Sequence, residues 1–124
     1  MPHVLVIEDD PWIAWMIADD LAERGYRVST ASNGLEALQL LGHARPDVIV
    51  LDLMLPDMDG WTFVERYQRA TGGTRVPIIV VSAAGAVPRS MEARGVQCYL
   101  RKPFDIQELA ACVDQSAPAL ATRA

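Results

Sequence analysis

The sequence Val4-Leu5-Val6-Ile7-Glu8-Asp9-Asp10 is an uninterrupted apolar run that ends in three carboxylates. Two later apolar runs also end in charged residues, because residues 48–51 precede Asp52 and residues 98–100 precede Arg101-Lys102. A short, continuous apolar run is typical of a strand that a parallel sheet buries on both faces. If the three runs are neighbouring parallel strands, their charged ends meet at one edge of the sheet. A single lysine cannot neutralise such a cluster, so the pattern predicts a divalent cation site that handles phosphate.

Composition limits the classes of protein to which the chain can belong. It has 124 residues, of which 51% are hydrophobic, and this fits one domain with a single core. The net charge of −5 argues against a nucleic-acid surface. No apolar run approaches the roughly 20 residues of a membrane helix, and the N-terminus lacks a signal-peptide layout. The two cysteines, Cys98 and Cys112, lack metal-ligand spacing, so we expect reduced, partly buried thiols in a cytoplasmic protein.

Apolar runs alternate with helical patterns along the whole chain. Strands are predicted over residues 4–7, 26–31, 47–52, 77–82 and 97–101, and helices over residues 11–24, 33–46, 61–70, 83–95 and 105–113. This order predicts an α/β domain over residues 1–115 with a parallel sheet and helices on both faces. Residues 116–124 are then a C-terminal tail or a linker stub. Functional groups belong at the carboxyl ends of the strands. The candidates at those ends are Glu8, Asp9, Asp52, Ser82 and Lys102.

Several helix ends have clear local signals. Asp10 is predicted to cap the first helix, and Pro11 fits its first turn. Gly25 is expected just beyond the last turn of the same helix. Asn33 is followed three residues later by Glu36, as in a capping box. The helical pattern of the fourth helix is weak, because residues 85–95 contain glycine and proline. The sequence does not predict the geometry of this segment.

The chain resembles the receiver domain of two-component response regulators over about residues 3–115. The likeness depends on the order and spacing of four segments, which are residues 6–10, 50–60, 81–83 and 99–104. It implies a doubly wound (βα)5, flavodoxin-like fold with five strands in the order 2-1-3-4-5.

The resemblance also implies a chemistry. Asp52 would accept a phosphoryl group from a phosphohistidine donor, because a carboxylate is an oxygen nucleophile that is already ionised at neutral pH. Mg²⁺ would be the cofactor, held by Asp9, Asp52 and the backbone carbonyl of Met54, with Glu8 acting through a water. The three carboxylates of Glu8, Asp9 and Asp52 and the ammonium group of Lys102 give the site a formal charge of −2. The ion would neutralise this charge.

Three further residues have roles by resemblance. Lys102 would reach the phosphoryl oxygens, and its peptide bond to Pro103 would be cis. Ser82 would be the hydroxyl that moves on phosphorylation, and Tyr99 the aromatic side chain that moves with it.

The implied function is a signalling switch rather than an enzyme, although it assists its own phosphorylation and dephosphorylation. Its partners would be a sensor histidine kinase or histidine phosphotransfer protein and a downstream effector, with no direct contact to nucleic acid or membrane. The resemblance leaves open whether the chain forms a homodimer.

Trp12 and Trp15 lie on the predicted first helix. They either pack on the flank of that helix or anchor a helix of a partner protein.

Three other functions fit the residues less well. A pseudo-receiver, which is a non-phosphorylated interaction module, would normally lack an acid, the phosphoacceptor or the lysine, and none of these is missing. An aspartyl phosphohydrolase commonly needs a second acid at the position of Met54. A flavin-binding protein would need a loop rich in Ser, Thr and Gly where Glu8 and Asp9 stand.

Overall fold

A parallel sheet with helices on both faces forms the part of the chain that the computed structural model describes, which is residues 2–71, 76–83 and 95–117. The strands are β1 (His3–Ile7), β2 (Arg27–Ala31), β3 (Val48–Asp52), β4 (Ile78–Ser82) and β5 (Val96–Arg101). The helices are α1 (Pro11–Glu23), α2 (Gly34–Leu41), α3 (Gly60–Ala70) and α4 (Ile106–Ser116). The strand order is β2-β1-β3-β4-β5, which confirms the predicted fold. The helix predicted over residues 83–95 falls on residues 84–94, which lie outside the described residues.

Continuous apolar sequence and burial on both faces go together in three strands. Every residue of β1, β3 and β4 is buried. One face packs against Ala37 of α2 and against Phe63, Val64 and Tyr67 of α3. The other face packs against Ile17 and Leu21 of α1 and against Leu109 and Val113 of α4. The two cores fix the sheet from both sides, so the strand ends have defined positions.

The first helix has the predicted ends. Asp10 is its N-cap, and its Oδ1 accepts hydrogen bonds from the backbone N–H groups of Trp12 at 2.9 Å and Ile13 at 3.3 Å. Gly25 has a φ of +97°, a conformation that favours glycine. The N–H of Gly25 donates to the carbonyl of Ala22, and the N–H of Tyr26 donates to the carbonyl of Leu21. These two hydrogen bonds form a Schellman motif at the end of the helix.

The second helix differs from the prediction at both ends. Asn33 accepts from the N–H of Glu36 at 2.8 Å as expected, but the Glu36 carboxylate accepts from the N–H of Ser32 rather than of Asn33. The prediction that Pro46 ends the helix is wrong, because α2 ends at Leu41 with Gly42 as its C-cap. Glycine has a low helix propensity, so the helix ends at Gly42 and does not extend as far as Pro46.

The last helix is longer than predicted. It continues to Ser116 rather than to about Val113, and Ser116 and Ala117 are both buried. Packing of Val113 and Ala117 on the core extends the helix beyond its sequence signals. Ser116 and Ala117 therefore belong to the packed part of the chain, although the prediction placed them in the tail.

Strand register brings the ends of β1, β3, β4 and β5 to one edge. Ile7 pairs with Leu51, Asp52 with Val81, and Ser82 with Arg101. The residues that follow these pairs therefore lie side by side at that edge of the sheet.

Among the helices of the described residues, none is both long and apolar enough to cross a membrane.

Candidate functional site

Three carboxylates meet at the carboxyl edge of the sheet. Glu8 and Asp9 follow β1, and Asp52 is the last residue of β3. One carboxylate oxygen from each lies within 4.8 Å of the others. Glu8 and Asp52 are buried, whereas Asp9 is exposed. Two of the three acids are therefore fixed in the protein, and the third faces solvent at the opening of the site.

Lys102 links the two buried carboxylates. Its Nζ donates to Glu8 Oε1 at 2.6 Å and to Asp52 Oδ2 at 3.0 Å. Its backbone N–H donates to the carbonyl of Ser82 at 3.0 Å, which ties this residue to the end of β4. The peptide bond between Lys102 and Pro103 is cis, the isomer that the family resemblance implies. Residues 8, 52 and 102 are far apart in the chain and adjacent in the fold.

Burial and pairing determine the charges in the site. Burial raises the pKa of Glu8 to about 7, although the hydrogen bond from Lys102 acts in the opposite direction. Burial alone would lower the pKa of Lys102, but its hydrogen bonds to Glu8 and Asp52 outweigh this effect, and the pKa is raised. Lys102 is therefore charged at neutral pH. The formal charge of −2 counts Glu8 as fully ionised, and burial makes the site less negative than that.

The segment after Asp52 returns toward its carboxylate. The N–H of Met54 donates to Asp52 Oδ1 at 3.0 Å, and Met54 forms an isolated antiparallel bridge with Asp59. The N–H of Gly60 donates to the carbonyl of Leu53 at 2.8 Å. The side chain of Met54 is 62% exposed, so this residue serves the site through its backbone. Its carbonyl as a metal ligand stays a prediction.

Ser82 and Tyr99 lie on the same face of the sheet. Tyr99 pairs with Val80, and Ser82 follows Val80 by two residues, so strand alternation places both side chains on one side. Ser82 is buried, and Tyr99 is half-buried against the core that contains Phe63. The arrangement suits the predicted coupling between them, which stays a prediction.

Sequence reasoning missed the role of Asp57. Its Oδ1 accepts from the N–H of Gly34 and its Oδ2 from the N–H of Leu35, both at 2.9 Å. These hydrogen bonds lower the pKa of the Asp57 carboxyl, so the group is ionised at neutral pH. The sequence identifies the segment around Asp57 only as a turn-rich loop. An Asp in such a loop is a weak signal of a contact 23 residues away.

Trp12 and Trp15 form an exposed aromatic pair on α1. They are 68% and 56% exposed, and their rings stack with centroids 5.4 Å apart. Beside Trp12 a cavity of about 410 Å³ extends to Lys102. It is lined by Trp12, Ile13, Met16, Lys102, Pro103 and Phe104. An apolar surface on the first helix therefore adjoins the charged site directly.

Cys98 and Cys112 pack against the core that contains Leu109. Both are free and partly buried thiols, as predicted.

Comparison with known proteins is consistent across sequence and structure. Residues 4–114 match the model of a family described as the response regulator receiver domain. The chain is 36% identical over 115 residues to the DNA-binding dual master transcriptional regulator RpaA of Synechocystis, a match that covers 91% of this chain and 48% of that protein. The chain thus spans about half the length of that relative.

Solved structures give the same result. The receiver domain of a Francisella response regulator is 34% identical, with a TM-score of 0.84 over 97% of this chain and 99% of that one. The response regulator TrrA of Thermotoga maritima, in complex with Mg(2+)-BeF, is 27% identical. Its TM-score is 0.79 over 94% of this chain and 99% of that one.

Proposed function

Because this chain belongs to the response regulator receiver domain family, we propose that it is a phosphorelay receiver that takes a phosphoryl group on Asp52. The donor would be a sensor histidine kinase or a histidine phosphotransfer protein. One observation carries the proposal. Lys102 Nζ is hydrogen-bonded to the buried carboxylates of Glu8 and Asp52, and Asp9 lies at the opening of the same site.

Asp52 is the nucleophile in this proposal. Its Oδ1 accepts from the N–H of Met54 and its Oδ2 from Lys102, so the carboxylate has a fixed orientation. A carboxylate oxygen forms the new bond to phosphorus while the nitrogen–phosphorus bond of the donor breaks and the imidazole leaves. Orientation of the attacking group supplies much of the rate in such a transfer.

Lys102 has two functions in the proposed reaction. Before transfer, its charge balances the buried carboxylates. During transfer, the ammonium group stabilises the negative charge that develops on the phosphoryl oxygens. It can do both because it is held within hydrogen-bond distance of the nucleophile.

The acidic group fits a magnesium ion in its donor chemistry, since carboxylate and carbonyl oxygens are the hard ligands that Mg²⁺ prefers. Asp9, Asp52 and the carbonyl of Met54 would hold the ion directly. Both oxygens of Glu8 already accept hydrogen bonds, from Lys102 and from the N–H of Asp10, which supports contact through a water. When bound, Mg²⁺ neutralises the phosphoryl oxygens and the crowded carboxylates. TrrA, a relative in complex with Mg(2+)-BeF, supports this choice of ion.

Phosphorylation would change the surface through Ser82 and Tyr99. The hydroxyl of Ser82 would donate to a phosphoryl oxygen, and Tyr99 would move into the space released on their shared face of the sheet. A local change of charge thereby biases a two-state element, which a downstream effector protein or domain would recognise. The chain assists its own phosphorylation and dephosphorylation in this scheme, and it acts as a switch.

The exposed indoles of Trp12 and Trp15 would form the docking surface for the donor. Trp12 lines the cavity that reaches Lys102, and Trp15 stacks on Trp12, so a partner helix seated there brings its phosphohistidine close to Asp52. Tryptophan is enriched among residues that dominate binding energy. We place the reaction in the cytoplasm, because free thiols and a phosphohistidine donor belong to that compartment.

The test is direct phosphorylation. Wild-type protein incubated with Mg²⁺ and acetyl phosphate should gain one phosphoryl group by intact mass, and Asp52→Asn should gain none. Asp19→Asn, a matched change at an exposed position of α1, should behave as wild type. If wild-type protein keeps its mass at saturating donor, the chain is a pseudo-receiver and the proposal is wrong.

A further inference from the structure

The loop that joins β3 to α3, residues 53–59, is attached to a different element of the fold. Asp57 accepts from the N–H groups of Gly34 and Leu35, which are the first two residues of α2. At its start the loop is fixed by the hydrogen bond from Met54 to Asp52, and at its end by the one from Gly60 to Leu53. The hydrogen bonds to the Asp57 carboxylate join the middle of the loop to the start of α2.

The contact is bidentate and charge-assisted. Each carboxylate oxygen takes one backbone N–H at 2.9 Å. The first N–H groups of a helix have no partner within the helix, and the helix dipole favours an anion there. Asn33 accepts from the next N–H, that of Glu36. Side chains thus satisfy three successive donors of α2, and one of those side chains belongs to the loop.

Packing reinforces the same attachment. A Cβ on Gly34 would lie 2.6 Å from Met58 Sδ and 2.7 Å from Met58 Cγ. Glycine therefore lets the Met58 side chain lie against the first turn of α2. Two consecutive loop residues, Asp57 and Met58, contact the same helix end, one by hydrogen bonds and one by van der Waals contact.

We propose that Asp57 is a positioning residue for metal binding: by fixing the loop to α2, it holds the Met54 carbonyl in place at the acidic site. The inference rests on the proposed function, because it needs that carbonyl to be a ligand. Asp57 touches neither the ion nor the phosphoryl group. It acts through the backbone of residues 54–57, as outer-shell partners act on metal ligands elsewhere.

The experiment compares the Mg²⁺ dissociation constant of four proteins by calorimetry. Asp57→Ala should raise the dissociation constant roughly tenfold, the lower end of the range for outer-shell partners. Asn33→Ala removes a cap from the same helix but leaves the loop attached, and should leave the constant within about twofold of wild type. Asp57→Asn keeps one acceptor oxygen and should lie between Asp57→Ala and wild type.

The comparison separates positioning from simpler effects. If Asn33→Ala weakens binding as much as Asp57→Ala does, stability of α2 explains the loss and the inference is overturned. If Asp57→Asn and Asp57→Ala lose the same affinity, the lost charge explains the loss, and the inference is overturned in that case too. If Asp57→Ala fails to fold, the Mg²⁺ dissociation constants of Asp57→Asn and Asn33→Ala are compared instead. Asp57→Asn should bind Mg²⁺ more weakly than Asn33→Ala, and equal dissociation constants contradict the inference.

A second measurement needs no variant. In wild type, Mg²⁺ should slow hydrogen exchange of the Gly34 and Leu35 amides several-fold more than that of Glu36, because only the first two donate to the loop. Equal protection at the three amides argues against the inference. Absence of Mg²⁺ binding in wild type overturns it together with the proposed function. Binding that Asp9→Ala abolishes and Asp57→Ala leaves unchanged overturns the inference alone.

Discussion

Lys102 Nζ lies 3.0 Å from Asp52 Oδ2, although the two residues are separated by 50 positions in the chain. The contact exists because β3 and β5 end at the same edge of one sheet, with β4 between them. A cation held against a buried carboxylate stabilises the resting site. It also places a positive charge where a phosphoryl group bound to Asp52 would be.

Replacing Lys102 with alanine should slow phosphorylation by acetyl phosphate about 100-fold or more, the usual cost of losing one group that stabilises transition-state charge. The rate of mass gain in the presence of Mg²⁺ measures this. Arg101→Ala is the matched control, because Arg101 is the preceding residue and is exposed. Equal rates for the two variants would remove Lys102 from the mechanism.

Asp9→Ala should weaken Mg²⁺ binding more than Glu8→Ala does. Asp9 is exposed at the site opening, whereas Glu8 already accepts from Lys102 and Asp10. We expect about a tenfold loss for Glu8→Ala, as for an outer-shell group, and a larger loss for Asp9→Ala. Calorimetric titration measures both constants. Asp10→Ala, which removes the α1 cap, should cost about 1 kcal/mol of stability and leave the Mg²⁺ constant unchanged. A larger loss at Glu8 would reverse the ligand assignment.

The sequence predicts the meeting of Glu8, Asp52 and Lys102 for a simple physical reason. Glu8 and Asp52 end apolar runs typical of strands that are buried on both faces, and Lys102 follows the end of the partly buried strand β5. Parallel strands end at one edge of the sheet, so these residues meet there. The caps at Asp10 and Gly25 were also predictable, because they depend on residues within one turn.

Other features were not predictable, because they depend on contacts between distant segments. Asp57 and Gly34 meet through the packing of α3 beside α2, and no local pattern carries that information. The extension of α4 to Ser116 likewise comes from burial of Ala117. The early end of α2 shows the converse case, since Gly42 acts locally before the more obvious Pro46.

Gly60→Ala should destabilise the protein by about 1–3 kcal/mol, the range for overpacking. An added Cβ would lie 2.7 Å from Leu53 Cδ2 and 2.8 Å from Leu53 Cα, and a backbone atom cannot move aside cheaply. Urea unfolding measures the change. Gly42→Ala is the control, because its added Cβ would have Gln39 O at 3.3 Å as its near neighbour, and we expect a change within about 0.5 kcal/mol. Similar midpoints for both variants would contradict the close approach at Gly60.

His3 should make stability fall as the pH decreases below about 6.5. Burial lowers its pKa, Arg27 lowers it further, and Asp47 opposes them. The unfolded chain therefore binds a proton at pH values where the folded protein does not, so acidification favours unfolding. The difference in unfolding free energy between wild type and His3→Asn, followed from pH 8 to pH 5, isolates this contribution. Exposed His43→Asn serves as the control, and a flat difference curve for His3→Asn would refute the prediction.

Trp12→Ala and Trp15→Ala should separate docking from chemistry. Both indoles are mostly exposed, so each change should alter stability by less than about 1 kcal/mol. Phosphorylation by acetyl phosphate should stay at the wild-type rate, because neither side chain contributes to the acidic group. Transfer from the autophosphorylated histidine kinase that phosphorylates wild type fastest in a panel should slow about 30-fold, which corresponds to a hot spot of about 2 kcal/mol. Leu35→Ala removes a large exposed apolar side chain from α2 and should leave both rates unchanged. If the tryptophan variants instead unfold more easily and keep the wild-type transfer rate, the pair packs on the flank of α1 and has no part in recognising the donor.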